Sequence, residues 1–164
     1  MKKVMIIGAG AQGNVISGVL SKADDLDTIL LGDVDLERAN EVAQFVGSDK
    51  IKVDRVNASD VDAMVKQIKS GPYELVVNAT LPVFDRPILT ACVQAKANYL
   101  DMASNEMLVS STGKSVQGEF LVEQFEYAKD FEEAGLKALI LAGGDSGLVN
   151  VMAREAADKL DEID

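Results

Sequence analysis

At 164 residues the chain has the length of one ordinary domain, and 48% hydrophobic with 26% charged residues is a globular composition that excludes a disordered tail. With 16 basic against 27 acidic side chains the net charge is −11, so nucleic acid and anionic membrane surfaces are poor partners, and any bound phosphate has to be held by backbone groups. No histidine and one cysteine, Cys92, remove the commonest general base, His-containing zinc sites and internal disulfides, and no metal site is expected.

In chain order, Lys3 to Ile7 is an apolar run that reads as a strand covered on both faces, and it is too short for a signal peptide's apolar region. No stretch approaches membrane-spanning length. A helix from about Ala11 to Ser21 follows, with Val15, Val19 and Leu20 expected on its inner side, and a second strand runs from Thr28 to Gly32 and ends at Asp33. The helix Leu36 to Val46 carries one apolar stripe of Leu36, Ala39, Val42, Ala43 and Val46, with Asp35 as its expected N-cap. Strand three is Ile51 to Val56, and Ser59 is the expected N-cap of a helix to about Lys69 that Gly71-Pro72 stops. Strand four, Glu74 to Ala79, precedes Pro82 and a helix from about Phe84 to Ala97; strand five is Asn98 to Asp101. Met102 to Gly118 loses periodicity and reads as a loop or short excursion. Phe120 to Ala134 regains helical period, Lys137 to Ala142 is a sixth strand, and Leu148 to Leu160 is a last helix behind Gly143-Gly144-Asp145-Ser146-Gly147. This alternation predicts an α/β fold of Rossmann type, a doubly wound parallel sheet of about six strands in a single domain over 1–164. Cys92, inside a helical pattern, reads as a small buried apolar group, and the expected compartment is the cytoplasm.

The turn Gly8-Ala9-Gly10-Ala11-Gln12-Gly13 leaves the first strand and opens the first helix, and the acidic Asp33 ends the second strand twenty residues beyond Gly13. That context makes it a dinucleotide-binding fingerprint, with a purely structural strand-to-helix turn as the competing reading. Gly8 permits the tight exit, Gly10 lets backbone approach a pyrophosphate, and Gly13 lets helix and sheet pack closely. Bare amides at the helix start then hold phosphate without lysine, which suits a chain of this charge. The expected cofactor-binding residues are Gly8, Gly10, Ala11, Gln12, Gly13, Asp33 and Val34, joined by Asn78, Ala79 and Thr80 past the nicotinamide ribose, with Asp54 to Asn57 bordering the adenine. For the segments after strands three to five, a purely structural turn is the competing role. Asp33 and Asp35 would repel a 2′-phosphate, so NAD is preferred over NADP; Arg38, turned inward, would weaken that preference.

With these residues placed, the chain resembles the amino-terminal portion of the saccharopine dehydrogenase-like family, which includes carboxynorspermidine dehydrogenases. The matching stretches are Ile7 to Gly13, Asp33 to Ala39, Val77 to Pro82, Asn98 to Ala103, and Ala134-Gly135-Leu136 leading to Gly143 to Leu148; Ser146 departs by standing where a proline is often found. The resemblance implies an oxidoreductase that uses NAD or NADP to make or break a secondary amine, or related imine chemistry, on an amino-acid-like small molecule. Family members are longer, so this chain is expected to be the cofactor domain of a longer protein, without its substrate domain and with little turnover alone. Asp101 and Asp145 are the candidate catalytic groups, placed to orient a substrate amine, with capping or loop hydrogen bonding as their competing role. A second copy of the chain, in a homodimer, is a further candidate partner. The alternative function is a regulatory NAD-sensing Rossmann module without catalysis.

Overall fold

The computed structural model describes residues 2–104, 108–109, 115–116 and 121–161. Its frame is β1 (Lys2–Ile7), α1 (Ala11–Leu20), β2 (Leu26–Asp33), α2 (Leu36–Val46), β3 (Ile51–Arg55), α3 (Val61–Ser70), β4 (Leu75–Asn78), α4 (Asp85–Ala95) and β5 (Asn98–Asp101). Then come the two-residue strands β6 (Leu108–Val109) and β7 (Ser115–Val116), followed by α5 (Val122–Phe125), α6 (Ala128–Glu133), β8 (Ala138–Leu139) and α7 (Val149–Ala157).

Alternate residues of the apolar strands supply two separate cores. Met5, Ile7, Leu30 and Val76 pack with Met64 and Ile68 of α3 and with Ile88, Leu89 and Cys92 of α4. Val4, Ile6, Ile29, Leu31 and Val77 face the other way, toward Ala39 and Val42 of α2 and the half-buried Ile16 and Leu20 of α1. Strands buried on both faces stay parallel, since crossover helices must cover each side. The six-stranded sheet has the order β3-β2-β1-β4-β5-β8, with every pairing parallel. The connections after β1 and β4 therefore run to opposite faces, and a crevice opens at the carboxyl ends of these strands.

Several expectations are corrected. Val15 and Val19 are 62% exposed, and α1 instead turns Gly13, Ser17 and the half-buried Ile16 and Leu20 inward. The reason is the close approach at Gly13, where an added Cβ would fall onto the Gly8 carbonyl oxygen. That contact sets the helix rotation and sends the valines outward. The cap of α3 is Asp60, whose Oδ1 accepts from Ala63 N at 3.0 Å, while Ser59 N donates to Asn57 Oδ1 in the preceding turn. Strand six shrinks to β8, because Leu141 N turns aside to donate to the Asp101 carboxylate and Leu141 adopts a left-handed φ of 56°. The expected last helix begins as a π-helical turn, Gly144–Leu148, before α7. The expected helix from Phe120 splits into α5 and α6, and its first residue lies outside the described residues. Most of the loop expected from Met102 to Gly118 also lies outside them; within it β6 and β7 pair antiparallel. Among the described residues no helix is long and apolar enough to cross a membrane.

Candidate functional site

The glycine turn is built from three different constraints. Gly8 has φ +108°, and a Cβ there would lie 2.6 Å from the Ala79 carbonyl oxygen, so backbone and neighbour both demand glycine. Gly13 answers to helix packing, as above. Gly10, the N-cap of α1, has φ −76° and nothing within 4 Å of where a Cβ would stand. Neither strain nor a protein neighbour requires glycine at that position. The amides that follow have no side-chain cap and no acidic residue in their first turn, so the helix end stays available to an anion.

Asp33 ties this turn to β2. Its Oδ2 accepts from Ala9 N at 2.7 Å and its Oδ1 from Asp35 N at 2.9 Å. Asp35 in turn caps α2, accepting from Glu37 N and Arg38 N at 3.1 and 3.2 Å. Asp33 thus has a structural role in holding the turn, and Asp35 takes the capping role expected of it.

Two adjoining clefts open at the carboxyl ends of the strands. The larger, 560 Å³, is lined by Gly8, Gly10, Ala11, Gln12, Asp33 and Val34, and also by Arg38, Val56, Asn57 and Phe84. The smaller, 420 Å³, is lined by Asn78, Asp85, Asp101, Met102, Gly143 and Leu148. Gln12, Ala79 and Thr80 line both. Bare helix amides, an open position at Gly10, an acid at the end of β2 and two linked hollows are the features that a dinucleotide requires.

Beneath the smaller cleft lies a sealed polar cluster. Asn78, Asp85, Asp101 and Gln124 are each at most 5% exposed. Asn78 Nδ2 donates to Asp85 Oδ1 at 2.8 Å and to the Tyr99 hydroxyl at 3.1 Å, and Gln124 Nε2 donates to Asp85 Oδ2 at 3.1 Å. Burial raises the Asp101 carboxyl above the usual range, against the opposing bonds from Leu141 N–H, Tyr99 and Gln124. Burial also pushes up the Tyr99 hydroxyl, helped by Asp101 and Asp85, so it stays a proton donor. The buried Cys92 thiol is raised by the same cause, which makes it unreactive.

Residues 4–139 match the family described as the saccharopine dehydrogenase NADP binding domain. The chain belongs to that family. Among its relatives, a carboxyaminopropylagmatine dehydrogenase of Synechocystis sp. is 32% identical over 95% of this chain and 38% of its own. A carboxynorspermidine synthase of Vibrio cholerae is 33% identical over 98% of this chain and 41% of its own. The chain therefore spans about two fifths of the length of these relatives. Among solved structures, apo saccharopine dehydrogenase (L-Glu forming) from Saccharomyces cerevisiae superposes with a TM-score of 0.77 at 17% identity, over 97% of this chain and 31% of its own. GenD2 from gentamicin A biosynthesis, solved in complex with NAD, gives 0.61 at 20%, over 87% and 34%. At these identities the superpositions establish the Rossmann fold.

In this chain, every expected cofactor residue except Gly13 lines one of the two clefts, and Gly13 acts beneath them. Asp101 lines the smaller cleft, whereas Asp145 is exposed in the π-helical turn and is not among the lining residues. Sequence reasoning missed Asp85 and Gln124. Asp85 did leave a signal, because it stands three, four and seven residues before Ile88, Leu89 and Cys92 on the buried stripe of α4. An acid on an apolar stripe is unusual without a partner. Among the described residues no group of three or more His, Cys, Asp or Glu side chains is placed to hold a metal ion.

Proposed function

We propose that this domain holds NAD or NADP for an oxidoreductase acting on an amino-acid-derived secondary amine or imine. The supporting observation is Gly10: no neighbour and no backbone strain calls for a missing side chain there, so the space is kept for a ligand. The diphosphate would lie over Gly10 on the α1 amides, the adenosine half toward Asp33, Arg38 and Asn57, and the nicotinamide half toward Asn78 and Asp101. When bound, the cofactor supplies hydride chemistry, and the protein supplies orientation and electrostatics.

Asp101 is the better placed of the two candidate acids to orient a substrate amine, since it lines the nicotinamide cleft, while Asp145 serves only if the turn carrying it bends inward. The chain acts as the cofactor domain of a longer enzyme, a reading supported by its coverage of the relatives. We place it in the cytoplasm, with a small amino-acid-like substrate and a second copy of itself as partners.

Calorimetric titration with NAD and NADP at millimolar concentration tests the reading: heat of binding and a raised melting temperature are expected, and silence from both cofactors ends it. Gly10→Ala should melt like the parent yet bind about ten- to a hundredfold more weakly, because a methyl group would stand where the diphosphate has to come. Unchanged affinity in that variant would remove the observation on which the reading stands.

A further inference from the structure

We infer that Asp85 is a positioning residue for the nicotinamide half of the cofactor, acting through the side-chain amide of Asn78. This rests on the dinucleotide reading proposed above. Asp85 is 1% exposed, so its carboxylate meets the cleft only at an edge, and its effect has to pass through its neighbours.

Asn78 ends β4 with an amide that can point either way. Both Asp85 oxygens accept, Oδ1 from Asn78 Nδ2 at 2.8 Å and Oδ2 from Gln124 Nε2 at 3.1 Å. A carboxylate held as an acceptor compels Asn78 to offer its Nδ2 downward, which leaves Oδ1 facing up. That oxygen then accepts from Thr80 N at 3.0 Å and Thr80 Oγ1 at 2.6 Å, closing the turn Asn78-Ala79-Thr80. The turn touches both clefts, and its Ala79 carbonyl is the atom that packs against Gly8. The order of causes runs from Asp85 to the Asn78 orientation, then to the Thr80 turn, then to the wall of the nicotinamide hollow. Were the amide reversed, an N–H would confront the Thr80 N–H and the turn would open.

Two variants and two probes test this. The probes are NADP, which fills both clefts, and ADP, which carries only the adenosine and diphosphate and so reaches only the larger. Asp85→Ala should weaken NADP on the order of tenfold and ADP by less than about threefold. The exchange Asn78→Asp with Asp85→Asn reverses the pair. The amide introduced at position 85 would donate to the carboxylate introduced at position 78 and still accept from Gln124, while that carboxylate would keep an acceptor on Thr80. The exchange should bind NADP at least about threefold more tightly than Asp85→Ala, position 78 itself bordering the cleft. A purely structural Asp85 would lower the melting temperature without splitting the probes. Equal loss of both probes, no loss of NADP, or an exchange variant as weak as the single one overturns the inference while the dinucleotide reading stands. If Asp85→Ala does not fold, the exchange is set against Asn78→Asp alone: NADP binding at least about threefold tighter in the exchange supports the inference, and equal or weaker binding or failure to fold refutes it. A parent chain that binds neither probe removes the dinucleotide reading itself.

Discussion

At the scale of single residues, Arg38 and Asp101 carry the sharpest tests. Arg38 is exposed, lines the larger cleft at its proposed adenosine end and makes no ion pair with the described residues. The Asp33 carboxylate nearby is already held by two backbone amides. The guanidinium is therefore free to meet a 2′-phosphate, while Asp33 and Asp35 oppose it. Arg38→Ala should weaken NADP about ten- to a hundredfold and NAD less than about threefold, read by parallel titration. Equal loss for the two cofactors would show that Arg38 does not discriminate them.

Asp101 binds its proton more tightly in the fold than in the unfolded chain, because burial disfavours its charge. Such a group adds stability that is fully present below the unfolded pKa of about 4 and is lost as pH rises through the higher folded value. Asp101→Asn removes that term. The melting temperature of the variant minus that of the parent should therefore rise as pH goes from about 4 to 7, and a flat difference would show that the carboxyl is not perturbed.

Among the elements, α1 owes its placement to Gly13 in its first turn. Gly13→Ala would drive a methyl group into the Gly8 carbonyl, so α1 has to lift from the sheet. A loss of about 1–3 kcal/mol is expected, visible as a lower urea midpoint, in contrast to the thermally silent Gly10→Ala. A Gly13→Ala variant as stable as the parent would mean that α1 is not held that tightly. The outward turn of Val15 and Val19 shows why helix faces are harder to read than helix positions. Periodicity reports that apolar residues recur, but the phase is set by which residue permits closest approach, and here that residue is a glycine with no hydropathy signal. Asp85 was obscured for a related reason: on paper it is one charge in a helix, and its role depends on Tyr99, Asn78 and Gln124 arriving from three other elements.

For the whole molecule, a surface of net charge −11 stands beside an apolar strip on the late elements, where Phe125, Leu139, Leu148 and Val151 are each at least 58% exposed around one hollow. On the proposal of a homodimer, this strip is the apolar surface offered to a second copy. Sedimentation velocity should show a dimer in the parent chain and a monomer after Phe125→Asp, and a monomeric parent would rule out that partner.

The amino-acid sequence by itself determined the alternation of strands and helices, the glycine turn and the acid at the end of β2, because these rest on local periodicity and on backbone positions that tolerate few residues. Only the tertiary structure decided the rotation of α1, the shortening of the sixth strand at Leu141, and the sealed cluster around Asp85. Those features arise from contacts between residues distant in the chain, where burial turns a modest hydrogen bond into a constraint on orientation.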